Sequence, residues 1–536
     1  MLTATGVVVT LPAPADAAVG QRARATDVNG DGVGDFVVAS AARLNRWTAE
    51  PLGTADLGGS VHILPGGQAS RPTPALISQD GAIPGTPERE DAFGQSVATG
   101  DFDNDGKADV AVGNPHETVG AFVEAGTVAV QYGQSTAPYV GAGKGGLTGI
   151  EQNAVDATGV AVPGDNEAGD RFGASLTTGY FNGDDYADLA IGAPGEAVGT
   201  ALEAGRVTVL YGGPTGLTAA GAKMVDGTVA GAAEPFDHFG ASLAAADLRD
   251  DGHDDLAVLA SGEHLSGTRG AWGAAMVLRG TASGIDSAGA AVVNVNHTRT
   301  TGHLRALVAG RFHGSAYADL AVFADQSPVA SPAPNSGVVV VTRGGSTGIS
   351  PAATPALTVL AASAPEAGAY WGGALSAGDV NGDGLDELAV GALRARGTGS
   401  VTVFTGDPAG LTARPSTTLT EDTAPLSAVA KQGEGFGYTV ALQDLTGDGR
   451  AELLAGAPWE DATAPVARTL TTGAKLFELG LTITGSEAPA LVSAKPFAGA
   501  SASAFGPGVG NSAGVTVLTE NAVEPSPWLN RLPPLN

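Results

Sequence analysis

Cysteine is missing from this chain altogether, which excludes disulfide staples and thiolate-ligated metal sites as sources of stability. It does not exclude export. Basic residues are scarce: 27 Lys and Arg stand against 56 Asp and Glu, for a net charge of −29. Nucleic acid and anionic membrane surfaces both demand basic patches, so neither is expected as a partner. No apolar run reaches the roughly eighteen residues of a spanning helix, and no membrane span is expected. Histidine is sparse, eight in 536 residues, and no HExxH string occurs. What is plentiful is glycine, 81 residues, with 32 prolines and 43% hydrophobic residues. That mixture describes a turn-rich chain of short strands around a large core.

An acidic loop of nine residues recurs seven times. Its fullest copies are DVNGDGVGD at Asp27 to Asp35, DFDNDGKAD at Asp101 to Asp109, DVNGDGLDE at Asp379 to Glu387 and DLTGDGRAE at Asp444 to Glu452. Oxygen-bearing side chains at positions 1, 3, 5 and 9, with Gly at 6, let the chain curl tightly and aim several hard oxygens at one point. That is calcium chemistry. Weaker copies stand at Tyr180 to Asp188, Asp247 to Asp255 and Arg311 to Asp319. Successive loops start 74, 79, 67, 64, 68 and 65 residues apart, longer than a hairpin or solenoid coil and suited to a four-stranded blade.

The second unit shows the order: GQSVATGDF leads into the loop, ADVAVGNP leaves it, GTVAVQYG follows, and a fourth segment lies near GLTGIEQ. Units three and four repeat it. Four short β-rich segments per unit, divided by Gly and Pro, predict an antiparallel sheet with the acidic loop as the hairpin between its first two strands. An EF-hand, which needs flanking helices and an acidic ligand at position 12, is thereby excluded.

Phe93-Gly94 with Gly113-Asn114-Pro115, Phe172-Gly173 with Gly192-Ala193-Pro194, and Phe436-Gly437 with Gly456-Ala457-Pro458 resemble the paired signatures of the FG-GAP repeat. The resemblance runs from about Val19 to about residue 520 and implies an all-β, seven-bladed β-propeller like the head of integrin α chains and many bacterial exported proteins. Ring closure would protect the sheet edges. Unit one has Val19-Gly20 in place of FG, unit six Trp371-Gly372, and unit five His303-Leu304; a further Phe505-Gly506 follows the seventh unit. The domain reading is residues 1–18 as the remnant of a secretion signal or a loose tail, 19–520 as the propeller, and 521–536 as a C-terminal tail. The segment ending in Ala15-Asp16-Ala17 looks like the end of a leader, although no basic n-region precedes it.

Four loops are expected to hold structural Ca²⁺. Their ligands would be Asp27, Asn29, Asp31, Asp35 and the Val33 carbonyl; Asp101, Asp103, Asp105, Asp109 and the Lys107 carbonyl; Asp379, Asn381, Asp383, Glu387 and the Leu385 carbonyl; and Asp444, Thr446, Asp448, Glu452 and the Arg450 carbonyl. In unit three Tyr180 replaces the first ligand, and in unit four Arg249 can put a guanidinium in the cation's place. Unit five, with Arg311, His313 and Ser315, has lost the site, and His313 reads as a surface loop residue.

The strings around Ser346 and Ser512 match GxSxG, but no strand–turn–helix context surrounds Ser346, and the same turn recurs as YGGPTGL and RGTASGI. No catalytic residue is assigned. Loops opposite the hairpins offer Arg46, Trp47, His116, Tyr370, Trp459 and Glu460 as candidates for a recognition face; Trp371 reads instead as a packing residue. The expected function is a monomeric, secreted or cell-surface calcium-binding propeller recognising an extracellular protein or glycan. The alternatives are a secreted hydrolase or polysaccharide lyase with its active site on the same face, or a structural scaffold.

Overall fold

Runs of small and β-branched residues flank each acidic loop, and both runs become strands. The computed structural model describes residues 26–40, 59–66, 75–79, 91–229, 231–263, 273–293, 304–324, 337–349, 357–360, 371–392, 395–413, 415–424, 435–444, 446–457, 475–483 and 489–496. Among these, every sheet is antiparallel and joins strands in chain order. Five sheets are four-stranded. They begin with the strands Ser175–Gly179, Phe239–Ala246, Leu304–Gly310, Trp371–Gly378 and Thr439–Gln443.

The expectation of seven four-stranded blades is corrected to five, with two further sheets of different size. The first comprises Phe36–Ser40, Ser60–Leu64 and Ala75–Ile77; the segment before Thr26 lies outside the described residues. The second starts with Ser96–Gly100, Asp109–Asn114 and Thr127–Gly133, and its outer edge is split into Val140–Gly141 and Gly149–Ile150, making five strands. A Pro- and Gly-rich excursion between Gln134 and Gly146 prevents a continuous outer strand. Phe505, Ser512 and the two terminal segments fall outside the described residues.

Second strands such as Asp109–Asn114, Asp188–Ala193 and Asp255–Ala260 are buried along their whole length. Each lies between two neighbouring sheets, so both of its faces need apolar side chains. Consecutive sheets share hydrophobic clusters, for example Val37, Ile63, Val97 and Val110 between the first and second, and Val401, Leu419, Val440 and Leu453 between the sixth and seventh. The first strands of the second to seventh sheets lie side by side, the arrangement of blades around a common axis.

The paired sequence signatures form one clasp. The Gly94, Gly173 and Gly437 amides donate to the carbonyls of Gly113, Gly192 and Gly456 in their own blades, each at 3.0 Å. A Cβ at Gly113 would stand 2.1 Å from the Gly173 carbonyl oxygen of the next blade, and one at Gly192 2.3 Å from that of Gly240. Glycine is required because backbones of adjacent blades touch there. The aromatic partners Phe93, Phe172, Phe239 and Phe436 are buried. Trp371 takes the same role, edge-on to Phe404 at 5.9 Å with Nε1 donating to Thr402 Oγ1.

Hairpins of successive units are also chained. The amides of Ala108, Ala187, Asp254, Ala318, Asp386 and Ala451 donate to the carbonyls of Asp27, Asp101, Tyr180, Asp247, Arg311 and Asp379. Gln443 of the last unit reaches the first, its Nε2 donating to Thr26 Oγ1 at 2.9 Å and to the Asp35 carbonyl at 2.6 Å.

At the opposite edge, buried acids occupy the blade junctions. Between the second and third blades, Glu196 accepts from Gln152 Nε2 at 2.5 Å and from Arg206 at 2.8 Å. Burial, then the charge of nearby Glu196, pushes the Asp170 carboxyl from 3.8 up to about 7. Because the folded value lies above the unfolded one, the native state binds the extra proton, and stability falls as pH rises from about 4 to about 7. Asp170→Asn is expected to flatten that slope and to exceed the parent by about 2–4 kcal/mol at pH ~8. Urea unfolding across pH reads this out; parallel profiles for the two proteins would contradict it.

Candidate metal centres

Each complete hairpin is organised by its first aspartate. Asp27 accepts from the amides of Gly30, Asp31 and Gly32 at 2.7, 3.1 and 2.7 Å. Asp101 accepts from Asp105 and Gly106, Asp379 from Gly382, Asp383 and Gly384, and Asp444 from Gly447 and Gly449. The sixth position must turn left-handed, and Gly32, Gly106, Gly384 and Gly449 have φ of 87°, 87°, 84° and 83°. Position 4 shares this conformation, at Gly30, Asn104, Gly382 and Gly447. That requirement was legible only as a preference for Gly and Asn. The position-7 amides of Val33, Lys107, Leu385 and Arg450 donate to the position-5 carboxylates of Asp31, Asp105, Asp383 and Asp448.

The second hairpin is the most closed. Asp101, Asp103 and Asp109 are all buried and bring carboxylate oxygens within 4.8 Å of one another. Asp103 Oδ1 is buried with no hydrogen-bond partner. Lys144 approaches the other oxygen of Asp103 at 3.1 Å, and Lys107 contacts Asp105 at 2.8 Å. A buried carboxylate oxygen without a proton donor, flanked by two further carboxylates, suits a hard cation and is costly without one. The residues present therefore fit the group.

Position 9 does more than the sequence reading assigned to it. Asp109 accepts from Phe102 and Gly133, Asp188 from Phe181 and Gly212, and Glu387 from Val380 and Gly406; Asp35 accepts from Asn29 and Gly66. This acid ties the hairpin to the end of the third strand whether or not the rest of the ligand set is present, which accounts for an acid at position 9 in all seven copies. Burial raises Asp35 to about 7 and Glu387 to about 8.

In the fourth hairpin the Arg249 guanidinium occupies the loop centre. Its Nε donates to both oxygens of Asp255 at 3.0 and 3.1 Å, Nη2 donates to the Gly280 carbonyl at 2.6 Å, and Nη1 pairs with Asp251. In the fifth, His313 is buried, with Nδ1 2.6 Å from Asp319 Oδ2. The surface reading of His313 is thereby corrected: it faces inward because the position-9 acid needs a partner. Asp254 and Asp386, which sequence reasoning overlooked, cap the amides of Tyr180 and Arg311 at 2.8 and 2.7 Å. Each compensates a preceding hairpin that lacks its first aspartate.

Of the recognition-face candidates, His116 is buried beside Glu124, 3.6 Å away, so its ring is a packing group and not an exposed contact. Arg46, Trp47, Tyr370, Trp459 and Glu460 fall outside the described residues. Ser346 lies in the bridge Ser346–Gly348, matched by Pro214–Gly216 and Ala282–Gly284 in other units, and belongs to a structural turn.

The FG-GAP repeat family matches residues 93–130, 172–210, 371–404 and 436–471, the units of the Gly94, Gly173 and Gly437 clasps and of Trp371. The chain carries four FG-GAP repeats in a β-propeller arrangement of sheets. Within this FG-GAP propeller the matched sixth unit carries Trp371 at the FG position, so the family pattern tolerates an indole where the packing role is kept. The propeller is also similar to phosphatidylinositol-glycan-specific phospholipase D of Mus musculus, 34% identical over 88 residues. That stretch is 16% of this chain and 10% of the mouse protein, so the FG-GAP chain matches only a tenth of that relative's length.

Proposed function

We propose that this protein is an extracellular, calcium-stabilised propeller whose sheets close into a ring of seven and which recognises a protein or glycan through the face opposite its hairpins. Ring closure is supported by the hydrogen-bonded chain of hairpins and by the bonds of Gln443 to Thr26 and Asp35. Four hairpins, in the first, second, sixth and seventh units, would hold Ca²⁺ through the residues named above. The ions would hold hairpin geometry and carry no chemistry.

The observation that carries the recognition reading is the placement of exposed apolar side chains. Phe122, Val123, Leu202 and Phe236, 43–63% exposed, all stand on connections at the edge away from the hairpins. Exposed apolar groups gathered on surface connections are characteristic of binding surfaces, and Leu202 and Phe236 adjoin, the Phe236 amide donating to the Leu202 carbonyl at 2.9 Å. Export is in keeping with FG-GAP repeats, and among the described residues no helix is long and apolar enough to cross a membrane.

The test incubates calcium-loaded protein with immobilised extracellular polysaccharides and matrix proteins, following retention and product release together. Retention without breakdown, weakened by Phe122→Ser with Leu202→Ser, is the expected result. Breakdown of one substrate would replace this reading with that of a hydrolase or lyase.

A further inference from the structure

A trans peptide unit points its N–H and its C=O in opposite directions, and in each hairpin the peptide between positions 7 and 8 serves two loops. The unit joining Lys107 to Ala108 donates its N–H to the Asp27 carbonyl of the preceding hairpin at 2.7 Å, while the Lys107 carbonyl is the backbone oxygen offered to the ion of its own loop. The unit joining Arg450 to Ala451 does the same, its N–H bonded to the Asp379 carbonyl at 2.7 Å. Asp27 and Asp379 are themselves the first ligands of their hairpins. A single hydrogen bond therefore separates a ligand of one loop from a ligand of the next. Where either hairpin lacks the complete ligand set the bond is longer: 2.9 Å from Ala187 to Asp101, 3.1 Å from Asp254 to Tyr180, 3.2 Å from Ala318 to Asp247 and 2.8 Å from Asp386 to Arg311.

The side chains repeat the link. Position 4 holds Gly30, Gly382 and Gly447, whose amides donate to the first aspartates of their loops at 2.7, 2.6 and 2.7 Å. Position 7 of the neighbouring hairpin covers that glycine. A Cβ on Gly30 would lie 3.0 Å from Lys107 Cγ, one on Gly382 3.4 Å from Arg450 Nε, and one on Gly447 3.1 Å from Val33 Cγ2. The residue that offers its carbonyl to one ion thus packs its side chain on the turn that orients the first ligand of another.

We infer that calcium binds to the first and second hairpins, and to the sixth and seventh, as coupled pairs, so that filling either member of a pair raises the affinity of the other. This coupling presupposes that these hairpins hold Ca²⁺ as proposed above. An ion drawn to Asp27 fixes the residue whose carbonyl orients the Lys107–Ala108 peptide, so the second loop meets its ion with the backbone ligand already aimed. In the other direction, a cation on the Lys107 carbonyl polarises that peptide and strengthens its N–H bond to Asp27. The coupling is reciprocal by thermodynamic necessity. Repulsion between neighbouring ions does not oppose it. The first loop carries three carboxylates and the second four, so each occupied loop stays net anionic even with Lys107 counted.

The test titrates calcium into the full chain while amide-exchange mass spectrometry follows the loops Asp27–Asp35, Asp101–Asp109, Asp379–Glu387 and Asp444–Glu452 separately, in the parent, Asp31→Ala, Asp105→Ala and Asp383→Ala. Each variant loses the position-5 oxygen of one hairpin and keeps the linking carbonyl and amide. Asp31→Ala is expected to raise the calcium midpoint of the second hairpin about fivefold or more, and Asp105→Ala that of the first by the same factor. Asp383→Ala should move the seventh hairpin and leave the second in place, which a general loss of stability would not do. Native mass spectrometry of the parent at half saturation needs no variant: coupled pairs deplete the species with one and three ions. Unshifted midpoints in the neighbouring hairpins overturn the coupling while leaving calcium binding intact, as do one- and three-ion species at the level that independent sites of the measured midpoints require. A parent that binds no ion overturns the calcium reading of the hairpins and the coupling with it.

Discussion

Chelation is expected to lower the melting temperature sharply and unevenly. An ion bound only by the folded state, at a free concentration a hundredfold above its dissociation constant, contributes about 2.7 kcal/mol, and four hairpins together would supply on the order of 10 kcal/mol, comparable with the whole stability of an ordinary domain. If the sheets close into the proposed ring, the hairpins with full ligand sets are neighbours, running sixth, seventh, first, second, while the third to fifth are not. Calcium removal should therefore strip amide-exchange protection from one arc, around Asp379–Glu452 and Asp27–Gly133, and leave the arc from Ser175 to Thr342 protected. Melting with and without EDTA gives the total effect, and exchange mass spectrometry gives its location. An unchanged melt, or protection lost evenly around the ring, would remove the structural role assigned to the ions.

The repeat made much of this molecule legible from sequence, for a physical reason. Hairpin, clasp and strand each impose a residue type at a fixed offset, so Gly at position 6 stands in five of the seven loops and the Phe-Gly pair opens four units, enough to announce the repeat. What stayed hidden was whatever depends on the neighbouring blade. Asp254 and Asp386 have no assigned role in the sequence pattern of their own loops, and only the packed blades reveal that they cap the amides of Tyr180 and Arg311. His313 read as surface because its loop is polar, whereas the buried carboxylate of Asp319 draws it inward. His116 looked displayed for the same reason and is enclosed by Glu124 and the turn after Asn114. The irregular edge of the second sheet was equally unreadable, since GLTGIEQ gives a strand signal without showing that Val140–Gly141 pairs with the same neighbour first.

Arg249→Asn is expected to convert a salt bridge into a metal site. The fourth hairpin already has Asp247, Asp251 and Asp255 at positions 1, 5 and 9, and Gly252 at position 6 with φ of 84°. Asp247 accepts from Asp251 and Gly252 as Asp101 does from Asp105 and Gly106. Only position 3 departs from the complete pattern, and there the guanidinium spans Asp251, Asp255 and the Gly280 carbonyl. Removing it strands Asp255, which is fully buried, and breaking such a pair costs about 3–5 kcal/mol. Asparagine restores the oxygen found at Asn29 and Asn381, so calcium should recover most of that loss and the bound stoichiometry should rise by one. Arg249→Leu removes the same charge without supplying an oxygen, and should be destabilised with much weaker calcium rescue. Titration calorimetry with melts at several calcium concentrations separates the cases. Equal behaviour of the asparagine and leucine variants, with no added ion in either, would mean that the loop around Asp247 is shaped for a guanidinium alone.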